Sequence, residues 1–171
     1  MPLDFGAPWS RSLQRSSALV VVLLAAVAAA GVLVVPAHSL LVRCLMIALP
    51  LAVLAGALCS RVSGYTLTAA ALEVQRPLWR TTFALADLSS VVGDAAAFTG
   101  AFRLFGNGGL FSFTGIFWSR RLGCFRALAT DPARAVVLRF RRRTLVITPG
   151  DSQHFIVRVR THLQTAERAA P

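Results

Sequence analysis

Residues 135–148 read AVVLRFRRRTLVIT, apolar residues alternating on either side of an arginine triplet. Val136, Leu138 and Phe140 fall on one side of an extended chain, and Val137, Arg139 and Arg141 on the other. Beyond the triplet, Leu145 and Ile147 return to the first side. Successive side chains leave a strand on opposite faces, so this period of two predicts a β-hairpin with one buried face. Its tip, Arg141-Arg142-Arg143, is acceptable only to solvent or to an anionic partner. Thr148-Pro149-Gly150-Asp151 then breaks the pattern. Asp151 is placed to cap a helix, and Phe155, Val159 and His162/Leu163 recur at i, i+4 and i+7/i+8, one helical face.

Upstream the same grammar continues. Tyr65, Leu67 and Ala69 alternate with Thr66 and Thr68, a second run covers 71–75, Arg76-Pro77 interrupts, and a third run covers 79–85. An aromatic-rich stretch follows (Phe98, Phe102, Phe105, Phe111, Phe113, Phe117, Trp118, Phe125), punctuated by Gly106-Asn107-Gly108-Gly109, Gly115 and Gly123. Short aromatic runs between glycines predict antiparallel strands. Strands followed by one amphipathic helix predict a small barrel or sandwich that the helix closes.

The order of these pieces resembles bacterial pleckstrin-homology-like domains. Leu85-Ala86-Asp87-Leu88-Ser89-Ser90-Val91 is similar to the family's turn after its third strand. Phe105-Gly106-Asn107-Gly108-Gly109-Leu110-Phe111, Leu122-Gly123 and Ala129-Thr130-Asp131 resemble its middle section. Residues 136–147, Thr148-Pro149-Gly150-Asp151 and Phe155-Ile156 resemble its last hairpin and helix start. The resemblance covers about residues 65–163 and implies two near-orthogonal antiparallel sheets with a C-terminal helix. It also implies a membrane hairpin in many members and no assigned activity in most. The triple-arginine tip departs from the polar or glycine-containing turn of that pattern, so no ligand site is carried over.

The first third of the chain is of another kind. Residues 17–35 contain no charge, and 40–58 contain only Arg43. Each run of 19 residues spans about 28 Å as a helix, close to the hydrocarbon thickness of a bilayer. The linker Pro36-Ala37-His38-Ser39 makes the two helices antiparallel neighbours. Ala52/Gly56 and Ala55/Cys59 have small-xxx-small spacing, as do residues between Ala25 and Gly31, which favours close packing. Pro50 predicts a kink. Arg11 and Arg15 precede the first helix and Arg61, Arg76 and Arg80 follow the second, so the positive-inside rule puts both termini in the cytoplasm. Arg43 lies one turn inside and reaches for the far interface. A cleaved signal peptide over 1–37 is the competing reading, and it leaves the domain on the same side. The expected organisation is a tail over 1–16, membrane helices over 17–35 and 40–58, a PH-like domain over 61–164 and a disordered polar tail over 165–171.

Charge and composition bound the chemistry. The chain of 171 residues carries a net charge of +11, and all 18 basic residues are arginine. Mean hydropathy is +0.64, and 56% of residues are hydrophobic, which excludes a disordered chain. Without lysine there is no P-loop and no Schiff base, and a dinucleotide fingerprint fails at Phe111, so the glycine cluster reads as a turn. Asp151, Ser152 and His154 have the residue types of a hydrolytic triad but sit on one helix turn, where they cannot converge. The three cysteines read as buried thiols, and His154 and His162 lack further ligands at metal spacing. No catalytic residue, metal or cofactor is expected.

The expected function is a non-catalytic binding or scaffolding module at a bacterial inner membrane. Its candidate contact residues for anionic lipid or a protein partner are Arg139, Arg141, Arg142, Arg143, Arg120 and Arg121. Self-assembly, as a homo-oligomer or with other membrane proteins, is the alternative. Nucleic-acid binding is disfavoured.

Overall fold

The computed structural model describes residues 2–36 and 38–169, and the side chains of these except 165–169. The chain order is β1 (Leu3–Gly6), α1 (Arg11–Leu33), α2 (Leu40–Ser60), β2 (Gly64–Leu67), β3 (Ala71–Gln75), β4 (Arg80–Ala84) and β5 (Leu88–Gly93). It continues with β6 (Phe102–Gly108), β7 (Phe113–Ser119), β8 (Gly123–Ala129), β9 (Val136–Phe140), β10 (Arg143–Ile147) and α3 (Ser152–Ala169). One sheet has the order β1-β2-β3-β4 and the other β5-β9-β10-β8-β7-β6. Two apolar helices, two sheets and a C-terminal helix are the architecture expected of a PH-like domain carrying a membrane hairpin.

The hairpin at 135–148 forms as its alternation predicts, with Leu138 opposite Leu145. Val136, Leu138, Leu145 and Ile147 enter the main core with Tyr65, Leu67, Leu72, Val74 and Phe83 of the first sheet and Phe155 and Val159 of α3. The opposite face is buried too. Val137 and Val146 join Phe117, Phe125, Ala97 and Ala127 in a second cluster, covered by Phe98 from the loop after β5. Cover on both faces around residues 136–138 and 145–147 explains why these strands read as near-continuous apolar runs there. One pairing departs from the expected antiparallel pattern: β8 and β10 are parallel, with Leu145 opposite Arg126. The chain leaves β8, passes one position to build β9, and returns along β10 into the gap.

Two expectations at the ends, and one on the cysteines, are corrected. Residues 2–16 of the expected N-terminal tail are tied into the fold, because Leu3–Gly6 pairs with β2 and Phe5 packs edge-to-face on Phe155 at 5.2 Å. The helix hairpin is therefore an insertion between two neighbouring strands of one sheet. Polar residues 165–169 continue α3 rather than forming a disordered tail; residues 170–171 of that expected tail lie outside the described residues. Of the three cysteines, all unpaired, Cys44 and Cys124 are exposed and only Cys59 is half-buried.

The helices overlap the expected segments: α1 ends two residues before 35 and begins earlier than 17 because Ser10 caps it, its hydroxyl accepting from the Leu13 amide at 3.1 Å, and α2 runs two residues past 58. At about 1.5 Å per residue, their 23 and 21 residues span roughly 32–35 Å. Pro50 sits inside α2 without ending it. The close approach is at Gly31, where a methyl group would collide with Met46; Gly56 faces open space. Arg43 donates to the Val32 carbonyl at 3.1 Å, tying the start of α2 to the end of α1. Leu19, Leu23, Leu41 and Leu49 stay uncovered on the outer surfaces.

Candidate functional site

Arg141 and Arg142 form the two-residue turn between the paired residues Phe140 and Arg143. The Arg141 amide donates to the Asp87 carbonyl at 3.0 Å, joining this turn to the one before β5. Asp87, Phe140, Arg141, Arg142 and Arg143 surround a basin of about 480 Å³. Arg143 folds back, its guanidinium 4.9 Å from the Phe83 ring centre and 5.7 Å from that of Phe140. Such stacking on aromatic faces holds the charge against the domain, so Arg141 and Arg142 are the projecting pair.

The remaining candidates do not join this basin. Arg121 pairs with Asp94 at 2.7 Å and shares a small cleft with Arg139, Ser90 and Val137. Arg120 and Arg121 both border a groove with Phe102 and Trp118. The β7–β8 turn carrying Arg120 and Arg121 and the β9–β10 turn do share one end of the six-stranded sheet, since β8 and β10 run in the same direction. The predicted patch is therefore a basic end divided between the Arg141-Arg142-Arg143 basin and two adjoining clefts that share Arg121.

Position relative to the helices follows from their polar junctions. The Ser10 amide donates to the Thr130 carbonyl at 3.3 Å, just past β8. Ser16 and Ser17 hydroxyls donate to the Gly109 carbonyl at 3.0 and 3.2 Å, and the Phe111 amide donates to Ser17 at 2.9 Å, all at the β6–β7 turn. From Ser10 to Ser17 a helix rises about 10 Å, and β8 to β6 is two strand spacings, also about 10 Å. Helix α1 thus runs across the strand ends and leaves past the β6 edge. A cleft of about 530 Å³ there is lined by Ser16 and Val20 of α1, Val53 and Gly56 of α2, and Arg103 and Gly106 of β6. The β9–β10 turn lies three to four strands from β6, about 14–19 Å across the sheet.

Two arginines stand outside the contact candidates drawn from the sequence. Arg76 stacks over Trp79 at 5.4 Å and Arg126 over Phe83 at 5.9 Å, extending the basic seam that ends at Arg143. The Arg76 Nε is buried without a hydrogen-bond partner among the described residues. Burial, and secondarily the charge of Arg126, pull the Arg76 pKa down. Only the spacing of Arg76 and Trp79 was visible in sequence; Arg126 comes from a distant strand.

Asp151, Ser152 and His154 at the start of α3 take structural hydrogen bonds. Asp151 caps α3 by accepting from the His154 amide at 2.9 Å, Ser152 donates to the Arg134 carbonyl at 3.0 Å, and Arg158 donates to His154 Nε2 at 3.1 Å. The glycine cluster is not simply a turn. Gly106 lies within β6 opposite Gly115 of β7, both at positive φ, and a Cβ on either would strike the facing backbone.

Residues 63–163 match the family model described as the bacterial PH domain. No curated protein and no solved structure matches the chain.

Proposed function

The chain belongs to the bacterial PH domain family, and on that premise we propose that it is a non-catalytic binding module, tethered by its helix hairpin at the cytoplasmic face of a bacterial inner membrane and offering its Arg141-Arg142 turn to an acidic protein partner. The family is generally non-catalytic, and binding or scaffolding is the role its domain suggests. The hairpin supports tethering: two apolar helices of membrane-spanning length lie between strands that pair with each other, so both flanks occupy one side of whatever the helices enter. Arg11, Arg15 and Arg61 at those flanks favour the cytoplasmic side.

The observation that carries the choice of partner is the separation of the arginine turn from the helices. Both helices pass β6, and the turn stands about 14–19 Å away across the sheet. At physiological ionic strength the Debye length is about 8 Å, so headgroups of the tethering bilayer are largely screened from it. A soluble acidic surface is free to approach. The test uses the full chain in phosphatidylcholine nanodiscs and a polyglutamate peptide as probe. Arg141→Glu with Arg142→Glu is expected to weaken peptide binding about tenfold, equivalent to about 1.4 kcal/mol. Unchanged binding, or a preference for phosphatidylglycerol vesicles over the peptide, overturns the reading.

A further inference from the structure

We propose that the β6 edge, carrying Phe102, Leu104 and Phe105 beside Ile116 and Trp118 of β7, is a second membrane-contact surface, seated in the interfacial layer of the same bilayer that the hairpin enters. The inference rests on the tethering read above. These five side chains are exposed by 52%, 55%, 76%, 42% and 36% respectively, an unusual concentration of large apolar groups outside the helices. They arise because the two sheets are unequal. Six strands face four, and Ile116 pairs with Arg126, which is level with the core residue Leu145. The sheet face that is core at β10 thus becomes bare at β7 and β6.

What covers it is decided by its neighbours. Helix α1 runs across the strand ends and leaves past β6, and its uncharged run begins at Ser17, the residue hydrogen-bonded to the β6–β7 turn. Where the helices begin to be apolar enough for lipid, β6 is alongside them; Arg103 and Gly106 share a cleft with Val20 and Val53. The surface is flanked by Arg103 and Arg120, placed to meet phosphates while the aromatic rings sit among headgroups and upper acyl chains. The interfacial layer is wet enough to satisfy the unpaired backbone of an edge strand, which the hydrocarbon core is not. A second copy fits less well. The pairing of β6 with β7 shifts register between Arg103 and Phe105, and a bulge of this kind twists an edge away from further strand pairing.

The test is depth-dependent fluorescence quenching of the full chain in vesicles containing lipids brominated near the headgroup or deep in the acyl chain. Trp9, Trp79 and Trp118 are replaced by Phe, and one tryptophan is introduced at a time. Leu49→Trp, one turn deeper than the cleft and exposed on α2, reports the helix, Phe105→Trp reports β6, and Val157→Trp on the exposed side of α3 is the aqueous reference. Quenching of Leu49→Trp by deep bromines and of Phe105→Trp by shallow ones, at least twofold above Val157→Trp, is expected. If Leu49→Trp is quenched and Phe105→Trp matches Val157→Trp, the inference fails and tethering stands. A blue-shifted but unquenched Phe105→Trp means a protein covers the edge and likewise overturns the inference. If Leu49→Trp escapes quenching, tethering itself fails. A chain retaining only its native Trp118 repeats the comparison without a new side chain, and absence of shallow quenching there also counts against the surface.

Discussion

Tyr65 shows how much one side chain organises. It is fully buried; its hydroxyl donates to the Leu128 carbonyl at 2.7 Å and accepts from the Thr148 amide at 3.2 Å. It thereby bonds β2 of one sheet to the ends of β8 and β10 of the other. Tyr65→Phe removes both buried hydrogen bonds and is expected to cost roughly 1–3 kcal/mol in unfolding of the full chain in detergent. Burial, against the opposing hydrogen bonds from Thr148, raises the phenol pKa to about 12. Between about pH 10 and 12 the folded chain holds a proton that the unfolded chain has lost, so this contribution is complete below pH 10 and lost as pH rises through 12. The Phe variant should show a shallower alkaline decline, and an identical one contradicts this assignment. The sequence placed Tyr65 on an alternating strand but could not supply its partners, which lie 63 and 83 residues away.

At the scale of elements, legibility followed the length of the periodic signal. The 135–148 hairpin and the two apolar runs each carry many residues that agree with one another, and each forms the element read, with the bounds of α1 displaced. Strand β1 is only Leu3–Gly6, too short to show a period, and its role exists only through pairing with Gly64–Leu67 across the whole hairpin. The candidate site was partly legible for the same reason. Adjacent arginines announced the two basic turns, but their division into niches, the Asp94 partner of Arg121 and the stacked Arg76 and Arg126 depend on which strands become neighbours. Phe5→Ala tests the corrected boundary. As a core residue 7% exposed and packed on Phe155, Phe5 should cost about 3 kcal/mol when truncated, measured by thermal unfolding of the full chain. A tail residue would cost nothing measurable.

For the whole molecule, inserting a helix hairpin between paired strands makes the tether and the domain one mechanical unit. Linkers of three or four residues separate the helices from β1 and β2, and serine hydroxyls fasten α1 to the β6–β7 turn. Such short, bonded junctions restrict how the domain rotates above a surface, which keeps the Arg141-Arg142 turn away from the helices. The most direct measurement is labelling by a membrane-impermeant maleimide in intact bacteria and in inverted membrane vesicles. In a background of Cys44→Ser and Cys59→Ser, one chain keeps only the exposed Cys124 and another carries Cys124→Ser with His38→Cys between the helices. The predicted result is labelling of the cysteine at 38 only from the outer side and of Cys124 only from the inner side. Labelling of both positions from the same side would contradict the account.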